Sequence, residues 1–182
     1  MHLNTFVSPS RSSWPPFVTV KHENSHFQQK WNKMTNITPY LLFDGNCSEA
    51  MSFYKSCFGG DLSIMTVEDS PARHQMPKEL HNKIINARLK SKTVDISASD
   101  WLRPDRTPRQ GNTVCLYISG GTFGELKDYF DRLSVGASVV DPLTIQFFGT
   151  YGALTDRYGV RWMFQGSKEW VLGLARKLSI DS

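Results

Sequence analysis

A chain of 182 residues, 40% hydrophobic and 21% charged, has room for one medium domain or two small modules on a shared core, and its composition excludes a disordered or fibrous protein. The net charge of +4 sits mostly in the first 33 residues, where Arg11, Lys21, Lys30 and Lys33 stand against Glu23; residues 34–182 carry 17 basic and 16 acidic groups. That near balance, with no Lys/Arg stripe, argues against a nucleic-acid partner, and no run approaches the roughly 20 apolar residues of a membrane span.

Residues 1–33 read as a flexible extension. Ser8–Pro16 has neither helical nor strand period, and Pro15-Pro16 disrupts either element. No continuous apolar h-region is present, so no secretory signal is expected, and Met34, which opens the patterned region, is a candidate natural start.

Tyr40–Phe43 is a short apolar run, read as a strand, and Asp44-Gly45-Asn46 is turn chemistry. Asn46 stands three residues before Glu49, the spacing of an N-cap and its acid. Ala50, Phe53, Tyr54, Cys57 and Phe58 then form one helical stripe, which Gly59-Gly60 ends. Leu62, Ile64 and Thr66 alternate as a strand. Residues 69–82 are polar, hold Pro71 and Pro77, and read as a loop. Lys83–Lys90 and Thr93–Ser99 follow as a hairpin.

A second round begins after Pro104, Pro108 and Gly111. Val114–Ile118 is a strand, and Thr122 and Glu125 form another capping box. Leu126, Tyr129, Phe130 and Leu133 form a helix stripe closed by Gly136. Strands follow from Val139, over Gly149–Leu154 and over Val160–Gln165, the last two joined by Asp156–Gly159. Glu49, Phe53, Tyr54 and Gly60 match Glu125, Tyr129, Phe130 and Gly136 at a constant offset of 76 positions. Four matches in one frame argue for an internal repeat. The fold class is therefore α+β: two tandem βαβββ modules, about 37–100 and 112–166, closing their sheets around a shared cleft. Residues 167–182 form a tail, with Trp170, Val171, Leu174 and Leu178 at the spacing of a C-terminal helix.

Cys47, Cys57 and Cys115 are odd in number and match no zinc or redox motif, which fits reduced thiols in a cytoplasmic protein. There is no Gly-x-Ser-x-Gly, no Gly-x-x-x-x-Gly-Lys, and no His placed beside a Cys or Ser as a nucleophile would need.

Pro39-Tyr40-Leu41, Gly45-Asn46-Cys47, Glu49-Ala50, Phe53-Tyr54 and Phe58-Gly59-Gly60 together resemble the opening signature of PhnB-like proteins. These belong to the glyoxalase/bleomycin-resistance/dioxygenase (vicinal oxygen chelate) superfamily. Ser99-Asp100 is similar to the end of that family's first module, and Thr155–Met163 to its closing signature. The resemblance spans about 37–166. It implies a cupped mixed sheet around a cavity and commonly a homodimer. Some relatives carry a methyltransferase label, but no Gly-rich loop suited to S-adenosylmethionine is seen here.

The wider superfamily holds a divalent metal with His and Glu ligands from strands of both modules. Here His2, His22 and His26 lie in the extension, and His74 and His81 in the polar loop. The family's usual third-strand His falls at Asn86, a weak donor, and Trp162-Met163 stands where metal-dependent relatives place a Glu. No metal and no other cofactor is therefore expected. What remains is a pocket-like set of polar and aromatic residues: Asn86, Asp100, Trp101, Phe147, Phe148, Tyr151 and Trp162. For the aromatics, and Trp162 most of all, core packing is the competing reading; for Asp100 it is turn capping. Arg88, Arg103, Arg106 and Arg109 suit a carboxylate or phosphate, or simply a solvated loop.

The expectation is a metal-free small-molecule-binding protein, homodimeric, with no nucleic-acid or membrane partner. The alternative is a metal-dependent lyase, isomerase or dioxygenase with Asn86 or Asp100 among its ligands. A structural dimer with a filled cavity is a third reading.

Overall fold

A computed structural model of the chain describes residues 37–103, 108–109 and 111–166. The extension over 1–33, the helix expected within 168–178, and Arg106 lie outside the described residues.

The first module runs β1 (Tyr40–Phe43), α1 (Cys47–Phe58), β2 (Asp61–Thr66), β3 (Ile84–Lys90) and β4 (Asp95–Asp100). The second runs β5 (Leu116–Ser119), α2 (Phe123–Leu133), β6 (Ser138–Gln146), β7 (Gly149–Thr155) and β8 (Arg161–Gln165). Their sheets have the same topology, β1-β4-β3-β2 and β5-β8-β7-β6. In each, the first strand pairs in parallel with the last and the other pairings are antiparallel. The expected pair of βαβββ modules is thus present. The polar loop over 69–82 is more ordered than its composition suggests: it winds into 3₁₀ turns at Pro71–Gln75 and Lys78–Leu80, the first capped by the Ser70 side chain.

Each helix covers one face of its own sheet. Ala50, Met51, Tyr54, Cys57 and Phe58 of α1 are buried, as are Leu126, Phe130 and Leu133 of α2. Alternation along the strands supplies the other half of the core: Ala87, Leu89, Ile96 and Ala98 in the first sheet, Leu154, Trp162 and Phe164 in the second. These residues form one continuous cluster across both modules. Gly60 and Gly136, the repeat's helix terminators, both have positive φ, 88° and 75°. At Gly60 a side chain would also strike the backbone of Lys90, so a residue with a Cβ is excluded twice over. Pro142 is tolerated inside β6 because β6 is an edge strand whose pairing with β7 is bulged on either side of Asp141.

The helices start differently. Thr122 and Glu125 form the reciprocal capping box that their spacing predicts. Asn46, by contrast, makes no side-chain cap bond. The first amide of α1, that of Cys47, donates instead to Oδ1 of Asp100 at 3.0 Å.

Candidate functional site

The buried polar groups are spoken for by the fold. Asp100, 3% exposed, accepts the Cys47 amide on one oxygen and the Ile84 amide on the other, at 2.8 Å. It ties α1 and β3 to the end of β4, so both of its oxygens carry a structural bond. Asp156, 4% exposed, does the same between modules. Its Oδ2 accepts the Tyr54 hydroxyl at 2.7 Å and the Trp162 indole N–H at 2.8 Å. Its Oδ1 accepts the amides of Tyr158 and Val160. Trp162 is therefore a core residue, wedged against Tyr54 and Phe58 of α1 at ring separations of 5.6 and 5.4 Å, and its indole N–H is committed. It nonetheless also borders a hollow, the one that runs along Thr93–Ile96 and β5.

Burial sets the acid–base character of this interior. Burial, reinforced by the nearby Asp100 carboxylate, pushes the Cys47 thiol up to about 12, so it is inert at neutral pH. Tyr54 is pushed far above the usual phenol range by burial and then by Asp156. Tyr158 rises to about 12 through burial and its 2.9 Å bond to Glu49.

Among the described residues, the second face of each sheet carries no helix. On the first, Asn86 is exposed and opposes Met65, while Arg88 forms a two-pronged pair with Asp95 at 2.9 and 2.8 Å. On the second, Tyr151 opposes Gln165, whose side-chain oxygen accepts the Tyr117 hydroxyl at 2.8 Å. Phe148 lies at the β6–β7 turn with the more exposed Phe147. Asn86 and Phe148 are thus exposed, while Tyr151 is half-buried and donates its hydroxyl to Asp141.

A cleft is found at the seam where β1 and β5 approach without pairing. Its volume is about 480 Å³, and its walls include Tyr40, Leu42, Trp101, Arg109, Val114, Cys115, Leu116 and Arg161. The Trp101 amide donates to the Phe43 carbonyl at 2.6 Å, which carries the β1–β4 ladder one step further and sets the indole beside β1. A neighbouring hollow of about 580 Å³ shares Val114, Cys115 and Leu116 and opens toward Thr93–Ile96. Of the six nominated residues, Trp101 alone lines the first hollow. Tyr40 and Arg161 escaped sequence reasoning. The alternation of Arg161 with buried Trp162 and Phe164 is the signal that sets it on the face away from α2.

The donor set does not fit the superfamily's divalent metal. Asn86 opposes a thioether, and each oxygen of the buried Asp100 carboxylate accepts a backbone amide. Among the described residues no group of three or more His, Cys, Asp or Glu stands where it could hold a metal. His81 is engaged elsewhere, 2.5 Å from Glu68 through Nδ1 and 3.2 Å from the Met76 carbonyl through Nε2. Among the described residues no helix is long and apolar enough to cross a membrane.

Two βαβββ modules of this topology define the glyoxalase/bleomycin-resistance fold. A PhnB protein from Bacillus cereus shares it, with a TM-score of 0.58 and 24% identity over 73% of this chain and all of that one. Protein PA1353 from Pseudomonas aeruginosa is similar at 33% identity and a TM-score of 0.66, covering 74% of this chain and 98% of its own. Protein YjdN from Escherichia coli is 27% identical over 146 residues, 73% of this chain and 96% of YjdN. A family model described as 3-demethylubiquinone-9 3-methyltransferase matches residues 35–165. The chain belongs to that family.

Proposed function

We propose that this chain is a small-molecule-binding protein that takes its ligand in the seam cleft and works without a divalent metal. The observation that carries the reading is the cleft itself: about 480 Å³, walled by aliphatic and aromatic side chains with a few polar groups at its margin. That size and composition are those of a ligand pocket. The structural bonds on both oxygens of Asp100 and the amide at Asn86 support a binder over a metal-dependent lyase, isomerase or dioxygenase. The methyltransferase description of the family gains no support from the residues. The glycine pair between β5 and α2, Gly120-Gly121, leads into a helix whose capping box already satisfies the amides of Thr122 and Glu125.

The reading extends to a cytoplasmic homodimer. Tyr40, Leu42, Met65, Tyr117, Phe147 and Phe148 are all at least 40% exposed, more large apolar surface than a lone small domain usually presents. Three measurements test these claims. Metal analysis of protein purified without chelators is expected to give far less than one divalent ion per chain, and a thermal-shift library screen is expected to yield stabilising ligands. Stoichiometric metal lost on Asn86→Ala substitution sinks the metal-free reading in favour of the enzyme. Light scattering is expected to give twice the chain mass; a monomer at micromolar concentration removes the dimer.

A further inference from the structure

Resting on that reading of the cleft, we propose that its ligand is an anion with a flat apolar body, such as an aromatic carboxylate, phosphate or phosphonate, held at its charged end by Arg109 and Arg161. Both arginines line the cleft, and among the described residues that line it none is acidic. This distinguishes them from two other arginines on the molecule. Arg73 is paired with Glu68 and Arg88 with Asp95, so each of those charges is answered by a carboxylate. Arg161 instead donates through one terminal nitrogen to the Asn112 carbonyl, a neutral acceptor that steadies the guanidinium without cancelling its charge. Arg109 stands exposed at the rim.

Two cations beside one cleft repel each other and raise the local potential, a cost that an incoming anion relieves. The planar guanidinium fork suits the two oxygens of a carboxylate or phosphate. The body of the ligand is set by the apolar lining of the same cleft. Tyr40, half exposed, offers ring surface, and Leu42 and Val114 offer aliphatic contact. Rings stack on flat apolar groups at small entropic cost, because aromatic side chains have few torsions to freeze.

The test is calorimetric titration of the full chain with three probes of one shape: 1-naphthoate, 1-naphthyl phosphate and the neutral 1-naphthalenemethanol. Both anions are expected to bind about tenfold or more tightly than the alcohol at low ionic strength, with the gap narrowing as salt is added. Arg109→Gln and Arg161→Gln are each expected to erase most of that gap and leave the alcohol's affinity unchanged. Arg161→Lys, which keeps the charge but loses the fork, is expected to fall between, and thermal melts of each variant separate misfolding from lost recognition. An alcohol that binds as tightly as the anions overturns the anion assignment and leaves the cleft reading intact. Binding that survives unchanged in Val114→Trp, which fills the cleft, overturns the location and with it both readings. No binding by any of the three probes also overturns both.

Discussion

The two helices occupy equivalent places in their modules yet are held by different means. α1 takes its first cap from Asp100, a buried carboxylate 53 residues away, and sends Tyr54 from mid-helix to Asp156, another buried carboxylate 102 residues away. α2 caps itself with Thr122 and Glu125 at the surface, and its counterpart of Tyr54 is Phe130, which meets Phe164 edge-on at 5.2 Å. Duplication therefore conserved the fold's shape while the means of securing it diverged. In the first module the polar ties run through the interior and link distant segments. In the second the cap is local and the contact of α2 with its own sheet is apolar, with a long-range polar tie in the bond from Arg132 to the Cys57 carbonyl at 3.0 Å. The lesson is that α1 is the shared element: it packs on its own sheet and, through Tyr54 and Phe58, on Trp162 of the other module.

The sharpest way to break this contrast is to remove the carboxylate that joins the modules. Asp156→Ala leaves four donors unanswered, two of them on fully buried rings. A loss of about 3–5 kcal/mol in urea denaturation is expected, since each stranded buried donor costs about 1–3 kcal/mol and water recovers only some of them. A loss below about 1 kcal/mol would mean that the aromatic packing alone holds the modules, and the contrast with α2 would vanish. Next in size is Asp100→Ala, which strands the amides of Cys47 and Ile84 and is expected to cost about 2–3 kcal/mol. Its companion is Asn46→Ala, at the position that the sequence nominates as the cap. Since that side chain makes no cap bond, the change is expected to stay within about 0.5 kcal/mol. Equal losses for the two variants would show that α1 is capped locally after all.

This pair of positions also marks how far the sequence could be read. Both modules were legible, because amphipathic stripes, glycine terminators and a 76-residue repeat are local or periodic signals. The cap of α1 was not. Asn46 and Glu49 have the spacing of a box, but Asn46 makes no side-chain cap bond, and a carboxylate brought in by the parallel pairing of β1 with β4 accepts the first amide of the helix instead. The candidate site was less legible still. Alternation along β8 shows that Trp162 and Phe164 share a face opposite Arg161, yet period two never says which face the helix covers. Hence an aromatic committed to the core was nominated for a pocket, while Arg161, on the side that reaches the cleft, was passed over. Trp101 was found because it follows a strand end, where chains leave the sheet and clefts form.

The smallest effects come from α2, where the ties are exposed. Thr122→Ala removes the acceptor for the Glu125 amide and is expected to cost about 1 kcal/mol. The other half of the box titrates. Glu125 is held below the ordinary carboxyl value of 4.5 by the bond it accepts from the Thr122 amide and by the Thr122 hydroxyl. A group whose folded-state pKa is depressed stabilises the fold above its unfolded value, and that contribution disappears as pH falls from about 4.5 through the lower folded value. Acidification should therefore reduce the stability difference between the native chain and Glu125→Gln, whose amide oxygen can still accept the Thr122 amide but cannot titrate. Urea midpoints at pH 7 and pH 3 measure this. A difference that grows on acidification, or that is already absent at pH 7, would place the α2 cap outside the control of its own acid. The exposed helix would then be secured no more locally than the buried one.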